Sequence, residues 1–323
     1  VPPSEKPPVV VLTGPTASGK TRAALRIAAR FDVEVVSADS MQVYRHLDIG
    51  TAKPGLTERA FVPHHMIDVV APDVAYNAGR YLREARAAAA GVHARGRVVL
   101  LVGGTGLYVR AFLDGLLDAS GADSELRARL EAEHAAASAK GDAEALHRRL
   151  AALDPAAAQA IHPKDLRRLV RALELVEKGG ALPSALRGAH GFSDRPYRVL
   201  HLALDPGVSE LDRRTDARCV EMIERGLLRE VRGLLERHPP TLRPFGAIGY
   251  RHVIPVAEGS DTLVNALEAM QRDTRRFARR QRTWIRGVHD AVWIHSDDED
   301  ALVERIEAFL VGRARADQLG GEV

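Results

Sequence analysis

The residues best suited to chemistry lie near the start of the chain. Gly14, Pro15, Thr16, Ala17, Ser18, Gly19, Lys20 and Thr21 fit the phosphate-loop pattern, with an apolar run before them and a helical stretch after them. Glycines let the backbone curl so that successive N–H groups face one anion, and the helix N-terminus adds partial positive charge. Lys20 reaches the outer phosphates, and the Thr21 hydroxyl can ligate a magnesium ion. An ATPase also needs an acidic residue ending a later apolar strand. The obvious strand, Val98–Val102, runs instead into Gly103-Gly104-Thr105-Gly106-Leu107-Tyr108, with no carboxylate; Asp205, before Pro206, is either a substitute or a turn residue. The acidic residue closest to the loop is Asp39, in Ser37-Ala38-Asp39-Ser40, which taken alone reads equally as a functional carboxylate or as a cap or turn former.

Basic residues form two groups. Arg272, Arg275, Arg276, Arg279 and Arg280 recur at i, i+3, i+4, i+7 and i+8, on one helical stripe that only Asp273 offsets. Like charges at that spacing repel unless an anion covers them, and a nucleic-acid backbone is the natural cover. Lys164, Arg167, Arg168 and Arg171 make the second group. His64 and His65 are adjacent, point apart on a strand, and have no third ligand at suitable spacing, so no metal is expected there.

The elements that must position these groups alternate. Val9–Thr13 reads as a buried strand, followed by the loop and a helix to about Arg30; Val33–Ser37 is a second strand and His65–Val70 a third. Asn77 caps a helix ending near Gly96, before a strand at Arg97–Val102. Such alternation implies a parallel sheet with helices on its faces. From Ala119 to Gly191 the chain is rich in Ala, Leu, Arg and Glu with helical spacing and no strand. Val199–Leu204 then resumes the sheet, followed by helices at Ser209–Gly226, Leu227–His238 and Thr262–Ile285, a strand at Val292–His295 and a helix at Asp298–Arg313. The expected class is α/β, with a core of residues 1–118 and 192–323 and a helical insertion at 119–191.

Composition agrees with an enzyme of ordinary solubility: 323 residues, 46% hydrophobic and 28% charged. Cys219 is the only cysteine, which excludes an internal disulfide and a multi-cysteine zinc site. The net charge of +3 says little by itself, and with six lysines against forty arginines the clustering is more informative. No apolar run approaches the roughly 20 residues that span a bilayer. Val1-Pro-Pro-Ser-Glu-Lys-Pro-Pro carries no apolar signal core, so the expectation is a cytoplasmic enzyme.

Further blocks define a resemblance. Asp39-Ser-Met-Gln-Val-Tyr-Arg45, Leu47-Asp-Ile-Gly-Thr-Ala-Lys-Pro54, Pro63-His-His-Met-Ile-Asp68, the Gly103–Tyr108 segment, Asp154-Pro155 leading into Asp165–Glu174, Ile248-Gly-Tyr-Arg251 and Ala278-Arg-Arg-Gln-Arg-Thr-Trp284 occur in that order. From about residue 9 to residue 286 the chain resembles the bacterial tRNA dimethylallyltransferases, also called tRNA isopentenyltransferases, of the IPP transferase family. The resemblance implies a P-loop NTPase-like parallel sheet flanked by helices, with an all-helical insertion domain that clasps the anticodon stem-loop of tRNA. It also implies transfer of a dimethylallyl group from dimethylallyl diphosphate to N6 of the adenine 3′ of the anticodon, with Mg2+ as cofactor.

Carried onto this sequence, the resemblance makes Asp39 the general base, with Thr105, Arg218 and Lys20 the other catalytic residues. Residues 14–21 with Arg218 would hold the diphosphate as a leaving group, assisted by Arg214 one turn earlier on the same helical face, and Thr21 the magnesium. tRNA would meet Asp39, Ser40, Met41, Gln42, Thr105, Arg127, Lys164, Arg167, Arg168, Arg171, Arg251, Arg275, Arg276, Arg279, Arg280 and Gln281. Gln42 is suited to an adenine edge. A monomer is expected. Two rivals share the loop: prenyl transfer to a free adenine nucleotide, which needs neither basic cluster, and a P-loop kinase, which lacks its magnesium carboxylate here.

Overall fold

Pro8–Thr13 (β1) is buried at every position, as a strand covered on both faces must be, and its unbroken apolar run follows from that burial. The structure is a computed structural model that describes residues 6–116, 123–180, 182–190 and 194–319. After β1 come α1 (Lys20–Ala28), β2 (Val33–Ser37), α2 (Leu56–Phe61), β3 (His64–His65), α3 (Ala78–Ala94), β4 (Val98–Gly103) and α4 (Gly106–Asp114). Five helices follow: α5 (Ser124–Ala139), α6 (Ala145–Leu153), α7 (Pro155–Gln159), α8 (Leu166–Gly179) and α9 (Pro183–His190). The chain then forms β5 (Arg198–Asp205), α10 (Val208–Glu224), α11 (Leu227–Leu235), a 3-10 turn at Arg243–Gly246, α12 (Tyr250–Ala257), α13 (Leu263–Arg286), β6 (Ala291–His295) and α14 (Glu299–Leu319).

The strands make one parallel sheet in the order β3-β2-β4-β1-β5-β6. Its period of two sorts side chains between two layers. Val9 and Val11 join Val36, Val99 and Leu101 beneath α3, α4 and the helices after β5. Val10 and Leu12 join Val35, Leu100, Leu202 and Leu204 beneath α1 and α14. Burial of each such side chain contributes about 1.5–3 kcal/mol, so the sheet is a firm platform. Thr13 lies beside Gly103 and Ala203, and Ser37 beside Val102, so the strands end nearly flush. The segments after β1, β2, β4 and β5 therefore emerge side by side, at the edge where open α/β sheets take ligands.

Three local expectations change. The third strand is only His64–His65, because Met66 and Asp68 adopt left-handed backbone (φ 65° and 56°) that ends a ladder; Val70 keeps a lone bridge to Tyr44. The Gly103–Tyr108 segment is half strand end and half helix, since α4 starts at Gly106. Helix α12 forms around Pro255 where the sequence offers only a short motif.

Backbone contacts divide the chain into two units at Leu113/Asp114 and Asp194/Arg195, whereas the sequence suggested an insertion at 119–191. The helical unit packs Leu130, Leu146, Leu150, Ile161, Leu169 and Leu173. Asp123, Asp154 and Asp165 cap α5, α7 and α8, accepting from the Leu126, Ala157 and Arg168 amides at 3.1, 3.0 and 3.2 Å. Among the described residues no helix is long and apolar enough to cross a membrane.

Candidate active site

The phosphate loop leaves β1 at Thr13 and turns into α1 through left-handed Ala17 and Gly19 (φ 63° and 89°). Gly14 has no substitute: a Cβ there would stand 2.8 Å from the Leu204 carbonyl oxygen and 2.4 Å from Ser18 Oγ. The Lys20 ammonium folds onto the rim of the loop, donating to the Gly14 and Pro15 carbonyls at 2.9 and 2.7 Å. Burial and the neighbouring Arg218 charge pull its pKa down to about 7, against the opposing pull of Asp39. Burial lowers the pKa of Arg218 as well, and Asp39 again opposes. Lys20, Arg218 and Asp39, far apart in sequence, thus share one electrostatic neighbourhood.

Asp39 follows β2. Its Oδ1 accepts from the Met41 and Gln42 amides at 2.8 and 3.2 Å, while no described residue engages Oδ2. The turn-forming and functional readings of this carboxylate are therefore compatible: one oxygen holds the turn and the other is left unengaged by the described residues. Thr105 braces the same turn from β4, its Oγ1 accepting from the Ser40 amide at 3.1 Å and its own amide donating to the Ala38 carbonyl at 3.1 Å.

Two cavities meet at this point. The larger, of 420 Å³, is lined by Thr16, Asp39, Ser40, Met41, Thr105, Arg218 and Gln281, and by an apolar wall of Met222, Ile248, Met270 and Phe277. The smaller, of 50 Å³, is lined by Lys20, Thr21, Ser37, Asp39, Gln42 and His64. Asp39 lines both. Met222 lies one turn after Arg218, and Phe277 one turn before Gln281; helical spacing from a named site residue is the signal that could have found these two wall residues. Arg243, which also lines the cavity and donates to the Tyr76 carbonyl at 2.9 Å, has no such signal.

Several expected residues stand elsewhere. Arg214 lines neither cavity; its guanidinium is held by Glu210 at 2.6 Å, Asp297 at 2.9 Å and the Ser296 hydroxyl at 2.9 Å, so the arrangement does not bring it to the loop. Asp205 takes Arg282 at 2.6 Å and the Gly207 amide at 3.0 Å, which makes it a turn residue. Gln42 stays at the small cavity, but its amide group is also engaged inside the protein, accepting from Ser37 Oγ at 3.1 Å and donating to the Thr51 carbonyl at 3.3 Å. Gln281 is 8% exposed and lines the large cavity, so it lies within the site and not on the outer face of its helix. His64 and His65 do diverge: His65 meets the buried Glu34 at 2.6 Å, and His64 faces the small cavity.

The arginine stripe lies on α13, but it is not bare. Acids from α10 answer it: Arg275 pairs with Asp216, and Arg279 with Asp212 at 3.0 Å. Asp273 is shared by Arg251 at 2.5 Å and Arg276 at 3.5 Å. The self-repulsion inferred from the stripe alone is thus relieved in part by residues some sixty positions away in sequence. Arg251 and Arg280 line the large cavity. In the helical unit, Arg127 and Arg171 both close on the buried Glu174 at 2.7 Å, whereas Lys164, Arg167 and Arg168 are exposed.

An open carboxylate oxygen beside a phosphate loop suits the separation of a phosphate-bearing leaving group from the atom that it carries. Fold and site together define an α/β group-transfer enzyme. The family profile described as IPP transferase matches residues 42–288, one described as Isopentenyl transferase matches residues 7–62, and the chain belongs to the IPP transferase family. It is 48% identical over 300 residues to the tRNA dimethylallyltransferase of Anaeromyxobacter dehalogenans, covering 93% of this chain and 99% of that one. Among solved structures, the tRNA isopentenylpyrophosphate transferase of Bacillus halodurans matches with a TM-score of 0.70 at 34% identity, covering 98% and 100%. A eukaryotic dimethylallyltransferase acting on tRNA matches with a TM-score of 0.77 at 27% identity, covering 98% and 80%. The fold is accordingly P-loop NTPase-like.

Proposed function

We propose that this enzyme transfers the dimethylallyl group of dimethylallyl diphosphate to N6 of the adenine 3′-adjacent to the anticodon in tRNA, releasing diphosphate. The observation that carries the reading is Asp39 at the junction of the two cavities, one oxygen anchored and the other unengaged, with Lys20 and Arg218 beside it. The small cavity with the loop suits the diphosphate, and the large cavity suits the prenyl chain and the extruded adenine. As the N6–carbon bond forms, the allylic C–O bond breaks and its electron pair leaves on the diphosphate. The loop amides, Lys20 and Arg218 stabilise that growing charge. N6 becomes cationic in the same step, and its proton passes to Asp39 Oδ2.

Thr21 supplies the small cavity with a hydroxyl, a hard oxygen donor that fits Mg2+ when diphosphate and water complete its shell. Magnesium there would neutralise leaving-group charge. tRNA would be held by the arginine face of α13 with Arg251, and by Lys164, Arg167 and Arg168 in the helical unit. We place the enzyme in the cytoplasm as a monomer, which sedimentation checks. The test of the activity offers dimethylallyl diphosphate or ATP with tRNA or AMP. Prenylated tRNA is the expected product; prenylated AMP without prenylated tRNA, or phosphoryl transfer from ATP, would refute the reading.

A further inference from the structure

Gln281 sits on α13 one residue beyond Arg280, on the buried side of that helix with Ala278 and Ile285. Both ends of its amide are engaged. Oε1 accepts the Thr16 amide at 2.7 Å, and Nε2 donates to the Gly104 carbonyl at 3.0 Å. Thr16 lies within the phosphate loop, and Gly104 in the turn that delivers Thr105. One side chain therefore ties both loops to the helix that carries the arginine stripe. The fit leaves no slack: a Cβ on Gly104 would fall 2.2 Å from Gln281 Nε2 and 3.4 Å from the Gly14 carbonyl oxygen. The Thr16 N–H, a loop amide, faces this side chain and not the centre of the loop.

The geometry points to Gln281 as a positioning residue that couples occupation of the α13 arginine face to the shape, and hence the affinity, of the phosphate loop. This rests on the reading of the loop as a diphosphate site and of the stripe as an RNA face. A helix drawn toward an RNA backbone carries Gln281 with it, and the Thr16 amide and the Gly104 carbonyl must follow or lose their partners. Two sites biased through one rigid element are linked reciprocally, so each ligand changes the affinity for the other by the same factor.

The test titrates inorganic diphosphate with Mg2+, and an anticodon stem-loop RNA, into the full chain by calorimetry, each alone and with the other saturating. The native chain should show a coupling factor of about tenfold, equal in both directions. In Gln281→Met, which keeps the volume but neither hydrogen bond, the affinity for RNA alone should change less than the affinity for diphosphate alone. Diphosphate should bind about tenfold more weakly, and the factor should fall to about one. Gln281→Glu keeps the acceptor for Thr16 but sets a carboxylate against the Gly104 carbonyl; it should also lose coupling, and it serves if the methionine variant does not fold. A native chain that binds both ligands without coupling overturns the inference and needs no variant. So does a variant that loses RNA affinity with its diphosphate affinity intact, which would make Gln281 an RNA contact. A native chain that binds no diphosphate contradicts the proposed function instead.

Discussion

Under the proposed function Asp39 has two tasks with different requirements. Holding the Met41 and Gln42 amides needs only an oxygen acceptor, whereas taking a proton from N6 needs a carboxylate. Asp39→Asn separates them: the melting temperature and RNA affinity should stay close to native while the transfer rate falls by about 10²–10⁴-fold, measured in single-turnover assays. Equal loss of RNA binding would make Asp39 a recognition residue. Lys20 predicts a pH dependence. Its pKa in the folded chain is about 7 against an ordinary 10.5, so between those values the folded chain lacks a proton that the unfolded chain binds. Stability therefore declines as pH falls from about 10.5 toward 7 and is not lost further below that. Diphosphate needs the ammonium, so its affinity should weaken as pH rises above about 7, by at most tenfold per unit. Lys20→Arg, which does not titrate in this range, should flatten the profile; identical profiles would remove Lys20 from the site.

Helix α13 is held by α10 through Arg275–Asp216 and Arg279–Asp212. These partly exposed pairs are each worth about 0–1 kcal/mol, too little to fix the helix but enough to compete with phosphate. Asp212→Asn with Asp216→Asn should tighten RNA binding several-fold while lowering stability by no more than about 1–2 kcal/mol. Arg275→Glu with Arg279→Glu should weaken binding and flatten its salt dependence. Filter binding across a salt series reads both, and unchanged affinity in the aspartate variant would mean that these arginines do not reach RNA. The stripe itself was legible because helical periodicity is a local property. Its counter-ions were not, because nothing in the sequence around Asp212 and Asp216 says which helix they will face. Arg214 was misplaced for the same reason: it shares a helical face with Arg218, yet Glu210 and Asp297 capture it.

The two units are stabilised differently. The sheet unit rests on two apolar layers, whereas the small helical unit buries Glu174 completely, with its carboxylate shared by Arg127, Arg171 and the Asp123 amide. Burial pushes that carboxyl up, but the hydrogen bonds outweigh it and bring its pKa down to about 2 from 4.5. A depressed carboxylate contributes stability that is present above about 4.5 and lost as pH falls through about 2. Glu174→Gln should cost about 1–3 kcal/mol by removing the buried charge that Arg127 and Arg171 share, and should flatten the acid limb of the stability profile. Urea melts between pH 2 and 6 check both, and a cost below about 1 kcal/mol would show that these ion pairs contribute little to the stability of the helical unit.

What the sequence determined by itself was whatever depends on near neighbours. The phosphate loop follows from glycine and helix-start chemistry, the parallel sheet from strand–helix alternation, and Asp39 and Thr105 from their places at strand ends. Tertiary structure decided everything that depends on which strand ends lie side by side. Because β2, β4 and β1 are neighbours, Asp39, Thr105 and the loop converge, although 91 positions separate Gly14 from Thr105. It also turned Gln281, which the resemblance groups with the tRNA-meeting arginines, into a buried clamp across two of those ends. The direction of a side chain is set by the packing of its whole helix, and that packing is absent from any local pattern.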